Sequence, residues 1–519
     1  MVYIRKILME FYYSFVFSWH NHKFLKNKVN ESNSIIIVES NGLYASHLAY
    51  SYICSVLSKK YSCKIAIFKS TFFKNNLERI LHLIVKKLNI FQYQIYSSFG
   101  GDLFLYYKQV NKNDGKYIKF YNSLKTKNDL LNFKIDGILY GDLIYDSYLR
   151  WHGEPTINLK NPHFKHFFLK SIDYYYFCSS LFSKYIIKSV ILSHSVYLPA
   201  ILGRIAIEKK GTFYCAGLGH LSKLTKNEYC NDNNIHNYRI LLSMKKKDRL
   251  VGRNLAKKDF KSKIKGFGNV GVENLKIHPF AGKINKNIIS NSKKIKILVA
   301  SHCFFDSPHV FGNFLFDDFY EWLNFLGKIS QKTDYEWYLK PHPNKIYVKQ
   351  NKEILNKFVN KYKKFKLVDN DLSHFSFINK IDFVFSIHGT IGAELALFNI
   401  PVLNGSNNGR FSKYRFNINP RDIKKYEKII LNLKNYRKIK VNKNEVYDAH
   451  YINLLHYHSN TYVNFNKMSK DLGWKNITGI NVIKYWLNIF NVSKHKKILS
   501  TISRFIDKSE RSKSYMRLK

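Results

Sequence analysis

Three apolar runs in the second half of the chain each end in polar, reactive residues: Ile295 to His302, Trp337 to Pro343, and Phe383 to Thr390. Runs this short and this apolar read as strands buried on both faces, which is the signature of a parallel α/β sheet. In such a sheet the carboxyl ends of the strands share one edge, and ligands bind in the crevice along it. Ser301-His302, Lys340 to Pro343 and Ser386 to Glu394 are therefore expected around one pocket. Lys, His, Ser and Gly-Thr at these ends suit a phosphorylated nucleotide.

The same alternation of strand and helix runs through the first half. Ile35 to Val38 and Lys64 to Phe68 read as strands, with an apolar-periodic helix from Ala45 to Leu57 between them. Gly137 to Asp142 and Ser189 to His194 read as further strands ending in polar residues, and Thr212 to Cys215 as a short one. Residues 222–293 are rich in Lys and Asn with weak periodicity, and Asn285 to Lys294 is the best linker. A chain of 519 residues is too long for one core. The segmentation is an aromatic, basic helix over 1–33, a Rossmann-like domain over 34–290, a second over 291–450, and helices with a basic tail over 451–519. The fold class is α/β: two doubly wound, Rossmann-like domains facing a central cleft.

Lys and Arg number 85 against 36 Asp and Glu, a formal balance of +49. That excess favours anionic partners, although nucleotide bias in an AT-rich genome gives the same abundance of Lys. There is no RNP-type motif, zinc-finger spacing or helix-turn-helix signature, so nucleic acid is a minor alternative. Six scattered cysteines without a CxxC pair argue against a zinc site or disulfide framework and fit a reducing cytosol. The aromatic run Ile7 to Trp19 is interrupted by Glu10 and is not followed by small residues at a cleavage site, so a signal peptide is not the expected reading. It is also too short to span a bilayer. A helix packed on its own protein is the preferred reading, with a membrane interface as the alternative.

The strongest local signal is Ser386-Ile387-His388-Gly389-Thr390-Ile391-Gly392-Ala393-Glu394, a strand entering a Gly-Thr turn with a helix expected over 391–398. Helix amino termini bind phosphate, Gly389 lets backbone approach a ligand, and Glu394 is placed to accept from ribose hydroxyls. In Lys340-Pro341-His342-Pro343 the prolines stiffen the backbone around His342, and Lys340 offers a point charge. His302 reads as a nucleotide or leaving-group contact. A His302/Asp306/His309 metal site is conceivable but the loop spacing speaks against it, so no metal and no cofactor are expected. In the first half, Asp142, Asp146 and His194 are candidates for a general base, with Glu39 in a comparable position. Asx-turn or capping roles are the plainer reading of the two aspartates. No nucleophile elbow, Walker A loop or HExxH occurs.

Taken together, His302…Asp306-Ser307-Pro308-His309, Lys340-Pro341-His342-Pro343 and His388-Gly389-Thr390…Glu394…Pro401-Val402 resemble bacterial surface and capsular polysaccharide glycosyltransferases of the GT-B type. Tyr140 to Asp146 and Ser193-His194…Gly203-Arg204 are similar to that group's first half, and the resemblance runs over roughly 34 to 410. It implies an activated sugar held by the second domain and an acceptor, an oligosaccharide or a lipid-linked one, held by the first. His342-Pro343 is similar to the pair that contacts nucleotide in sialyl- and Kdo-transferases, which leans towards a CMP-activated donor. The chain departs from the sialyltransferases in lacking a clear Asp/Glu-Asp/Glu-Gly motif. The expected activity is metal-independent transfer from a nucleotide sugar to a growing capsule, O-antigen or lipopolysaccharide. The expected location is the cytoplasm, with peripheral contact at the anionic inner face of the membrane. A CDP-polyol phosphotransferase of teichoic-acid type, and a nucleotide-binding scaffold without turnover, are the alternatives.

Overall fold

The computed structural model describes residues 2–27, 33–70, 72, 75–110, 115–267, 275, 277–344, 347–437, 441–456, 462–473, 476 and 479–518. The strands of its two large sheets are Ser34–Ser40 (β1), Lys64–Lys69 (β2), Gly101–Tyr106 (β3), Ile186–Leu192 (β4), Thr212–Gly217 (β5), His220–Lys223 (β6), Lys296–Ala300 (β7), Glu336–Lys340 (β8), Phe365–Leu367 (β9), Phe383–Ser386 (β10), Val402–Asn404 (β11), Asn417–Ile418 (β12) and Met516–Arg517 (β13).

The first sheet runs β13-β6-β5-β4-β1-β2-β3, parallel from β5 through β3 and antiparallel at β6 and β13. The second runs β9-β8-β7-β10-β11-β12 and is parallel throughout. Both reverse their strand order beside the first strand, between β1 and β4 and between β7 and β10. Such switch points open a crevice at the carboxyl ends. This is the GT-B-like α/β class expected from the sequence, two doubly wound domains facing a cleft.

The physical cause is legible in β1 and β7. Ile35, Ile36, Ile37 and Val38 are β-branched and almost wholly buried, and Ile297, Leu298 and Val299 are as deeply buried. Each such side chain contributes about 1.5–3 kcal/mol on burial, so a central strand is fixed by its two apolar faces. Helices Tyr44–Tyr61, Asn481–Ile489 and Val492–Arg511 cover one face of the first sheet. Helices Gly141–His152, Pro162–Lys184 and Ala200–Glu208 cover the other. Residues beyond 451 thus return to the first lobe, and β13 completes its sheet.

Three expectations change. Gly137 to Asp142 is not a strand of the sheet: Ile138–Leu139 makes a small hairpin with Lys134–Ile135, and Gly141 opens a helix. A Cβ at Gly141 would stand 1.6 Å from the Leu130 carbonyl oxygen, so only glycine lets that helix start against its neighbour. The stretch 222–293 holds two helices, Asn234–Ser243 and Lys246–Ile264. The second packs on Lys443–His450, so this part of the chain lies against the second lobe. The helix expected over 391–398 is split into an α-turn, Ile391–Glu394, and a 3₁₀ turn, Ala396–Phe398.

The lobes are joined by polar contacts as well as by chain. Asp318 caps helix Phe319–Ser330 through the amides of Tyr320 and Glu321, and its other oxygen accepts from Tyr145 of the first lobe at 2.6 Å. Lys127 donates to Glu321 at 2.6 Å. The amino-terminal helix Val2–Phe24 packs inward through Phe17, edge-on to Trp486 at 5.5 Å, as preferred from the sequence. No helix is long and apolar enough to cross a membrane among the described residues.

Candidate active site

β8, β7 and β10 are neighbours in the second sheet, so their carboxyl ends lie side by side. Ser301-His302, Lys340 to Pro343, Ser386, His388 to Thr390 and Glu394 line one cavity of about 570 Å³, and His194 lines it from the first lobe. The volume is in the range of small-ligand sites, ~300–1,000 Å³. The three strand ends singled out in the sequence therefore do converge.

The histidines are held neutral. The His388 amide donates to His302 Nε2 at 3.1 Å, which places the His302 ring proton on Nδ1. Burial, with His342 and His388 close by, holds His302 well below the usual imidazole range, and its ring stacks on Phe319 at 4.5 Å. His388 donates from Nε2 to the Pro308 carbonyl at 3.4 Å, and burial takes its pKa down to about 3. Burial also lowers His342. His342 Nδ1, His388 Nδ1, Ser386 Oγ and Arg410 Nε are buried with no protein partner among the described residues. An unsatisfied buried polar atom costs about 1–3 kcal/mol. Four of them in one cavity make a surface prepared for a polar ligand.

Two cations line the cavity among the described residues, Lys340 and Arg410. Burial brings Lys340 down to about 8, and its ammonium donates to the Leu372 carbonyl at 2.7 Å. Arg410, not foreseen from the sequence, donates to Asp232 at 3.1 Å, and Arg517 of β13 donates to the other oxygen of Asp232 at 3.0 Å. Burial raises the Asp232 carboxyl, but the two guanidiniums outweigh it and hold it below its ordinary value.

On the facing wall His194 follows β4 at the first lobe's switch point. Its Nδ1 lies 2.8 Å from Ser193 Oγ, and Ser193 Oγ donates to Glu39 at 2.6 Å. With the serine proton committed to the carboxylate, His194 Nδ1 is the donor and Nε2 keeps a lone pair. Glu39 also accepts from the Ser193 amide, Tyr50 and Ser70, at 2.9, 3.1 and 2.9 Å, so it anchors the histidine rather than reaching substrate. His194 is open to the cavity, and desolvation by the surrounding walls shifts it below the usual imidazole range.

Two proposed catalytic aspartates are corrected. Asp142 lies off the cavity and is bound at both oxygens by buried Arg204, at 2.8 and 2.7 Å, because Gly141 starts a helix that turns the carboxylate inward. Asp146, one helical turn on, is buried against His309 at 2.6 Å across the lobe boundary. Neither lines the cavity. Glu394 lines the cavity but is only partly available: Lys263, from helix Lys246–Ile264, donates to Oε1 at 2.6 Å. Burial opposes its charge, yet Lys263 and His374 bring it down to about 2. Ser373 caps the turn that carries His374. Among the described residues no group of three or more His, Cys, Asp or Glu is arranged to hold a metal ion, and His309 of the considered His/Asp set faces Asp146 instead.

No family model and no curated protein sequence matches the chain. Among solved structures it is similar to Thermosulfurimonas dismutans KpsC, a beta Kdo 2,4 transferase, at 11% identity over 58% of this chain and 87% of that one, TM-score 0.34. It is similar to a Neisseria meningitidis UDP-GlcNAc 2-epimerase at 8% identity, covering 81% and 97%, TM-score 0.24. The wall teichoic acid polymerase TagF matches at 11% identity, covering 94% and 95%, TM-score 0.21. The fold class stands on the strand order of the two sheets themselves, a GT-B-like pair of doubly wound domains.

Proposed function

We propose that the chain is a glycosyltransferase that moves a sugar from a nucleotide-sugar donor to an acceptor hydroxyl in building a cell-surface polysaccharide. One observation carries this reading. A single cavity sets Arg410, Lys340 and the Nδ1–H of His302 on one wall and the free Nε2 of His194 on the other.

The second lobe holds the donor. Its diphosphate or monophosphate sits against Arg410 and Lys340, with the unpartnered atoms of Ser386, His342 and His388 completing its hydrogen bonds. Gly389 and Thr390 bring backbone close to the same group. The similarity of His342-Pro343 to the nucleotide-contacting pair of sialyl- and Kdo-transferases favours a cytidine nucleotide. The first lobe presents the acceptor, an oligosaccharide or a lipid-linked one. His194 Nε2 takes the hydroxyl proton as the acceptor oxygen bonds to the anomeric carbon, and the carbon–phosphate oxygen bond breaks with its electrons leaving on phosphate. The imidazolium that forms keeps its Nδ1–H on Ser193 and, through it, faces the Glu39 carboxylate. Positive charge on the donor wall stabilises the departing phosphate, and the shared cavity fixes the reactants in line.

The test is a thermal-shift screen with CMP, CDP, UDP and GDP, since a ligand that binds only the folded state raises its melting temperature. Product analysis with the stabilising nucleotide's sugars follows. New glycosidic bonds support the reading. New phosphodiesters would assign the chain to polyol-phosphate transfer instead, and nucleotide binding without donor consumption would make it a scaffold.

A further inference from the structure

The inner face of helix Val2–Phe24 is spoken for: Ser14, Phe17, Ser18 and Asn21 are buried against the first lobe. Its outer face is apolar. Ile4, Leu8, Phe11, Phe15 and Trp19 recur at three- and four-residue intervals and all point outward, Trp19 at 63% exposure. Helix Asn76–Lys87 repeats the pattern without any buried residue. Leu77, Ile80, Ile84 and the following Leu88 form a second outward stripe, Leu77 at 64% exposure. The first helix packs on Gln92–Ser98, the short helix that follows the second. Phe11 meets Phe91, three residues beyond Leu88, with ring centroids 6.2 Å apart.

We infer that these two helices form one face that seats on a bilayer containing anionic phospholipid. Isolated exposed apolar residues need no explanation, but two amphipathic stripes linked through Phe11 and Phe91 do. Their rim decides the partner. Arg5, Lys6, Lys23 and Lys26 are exposed around the first helix, and Arg79, Lys86 and Lys87 around the second. Each helix carries a single acid, Glu10 and Glu78. A basic rim around Phe, Trp, Leu and Ile suits the headgroup and acyl boundary of an anionic leaflet. It disfavours a second copy, whose own rim would bring like charge against like. Helix Asn76–Lys87 also starts just past the carboxyl end of β2, on the edge of the sheet that carries Glu39 and His194. The inference stands apart from the reading of the cavity.

The experiment floats the full chain with vesicles of phosphatidylcholine alone and of phosphatidylcholine mixed with phosphatidylglycerol. The chain is expected to float with the mixed vesicles, to stay behind with the neutral ones, and to be released by high salt. The double variants Phe15→Asp with Trp19→Asp, and Ile80→Asp with Ile84→Asp, should each weaken flotation about tenfold or more. Lys86→Glu with Lys87→Glu should weaken flotation with the mixed vesicles and leave the chain behind with the neutral ones, as the parent is. All these residues are exposed, so unchanged melting temperatures serve as the folding control. Flotation of the aspartate variants at the level of the parent would overturn the proposal. So would a dimer in sedimentation velocity that the same variants dissolve, since a second copy would then cover the face.

Discussion

Asp146 and His309 meet across the boundary between the lobes, with Oδ1 2.6 Å from Nδ1, while His309 Nε2 lies 2.9 Å from the Asp317 carbonyl. Both ring nitrogens face acceptors, so the ring carries both protons. Burial opposes that charge, but Asp146 outweighs it and raises His309 above its ordinary 6.5. A raised folded value stabilises fully below pH 6.5 and is lost as pH climbs through the folded value. Asp146→Asn should remove about 2 kcal/mol from urea-unfolding stability at pH 6. The difference from the parent should narrow as pH rises, and a pH-independent gap would show that the pair is not charged.

Four other histidines, two buried and two half-buried, act with the opposite sign. Burial lowers His302, His342, His374 and His388, the last two to about 3. The unfolded chain then binds more protons below pH 6.5 than the folded one, so stability falls as pH drops. Each contributes up to about 1.4 kcal/mol per pH unit. Unfolding midpoints measured from pH 7 down to pH 5 should decline steeply, and His388→Gln should flatten the slope. A flat parent profile would mean that these rings take protons without unfolding.

His194→Ala should lower kcat by about 10²–10⁴ while leaving the nucleotide-induced thermal shift intact. Because desolvation by the cavity walls lowers His194, the acid limb of the parent's rate profile should lie below pH 6.5. Ser193→Ala, which cuts the link to Glu39, should give a smaller loss. Equal loss of nucleotide binding in His194→Ala would move this residue to the donor side.

Arg410→Ala should weaken nucleotide affinity about 10²-fold, and Arg410→Lys should restore only part of it, because the planar fork is lost. Isothermal titration against the nucleotide found in the thermal screen measures both. Affinity that survives in Arg410→Ala would leave Lys340 as the phosphate contact.

Lys263→Met strands a buried carboxylate on Glu394 and should cost about 3–5 kcal/mol. Adding Glu394→Gln should recover much of that, as a double-mutant cycle would show. Loss of activity in Glu394→Ala alone is thus ambiguous, since a buried ion pair breaks with it.

The strand ends were readable because a parallel strand buried on both faces is a continuous apolar run, and the polar residue that stops it stands at the ligand edge. Ile297 to His302 and Phe383 to His388 show this directly. Asp142 misled because Ile138-Leu139 looks like the end of such a run, while the Gly141 approach to Leu130 that turns it into a helix is a contact across sequence. Helix Lys246–Ile264 hid behind its lysines: its buried face is Gly252, Ala256 and Phe260, at four-residue spacing, together with the polar Asp259 and Lys263. A Cβ at Gly252 would come within 2.4 Å of the Tyr451 ring, so the helix is held by close approach rather than by a broad apolar stripe. Arg410 carries no local signal at all. It follows β11 in a polar loop, and only the meeting with Asp232 marks it.

Asp232 sits between Arg410, on the cavity wall, and Arg517, on the strand that closes the first sheet. Were Arg410 to turn to the phosphate of the proposed donor, the carboxylate it left behind would still have a counter-ion. The guanidinium can therefore change partners without abandoning a bare negative charge in the interior, and β13, far away in sequence, acts as the reserve that makes that exchange cheap.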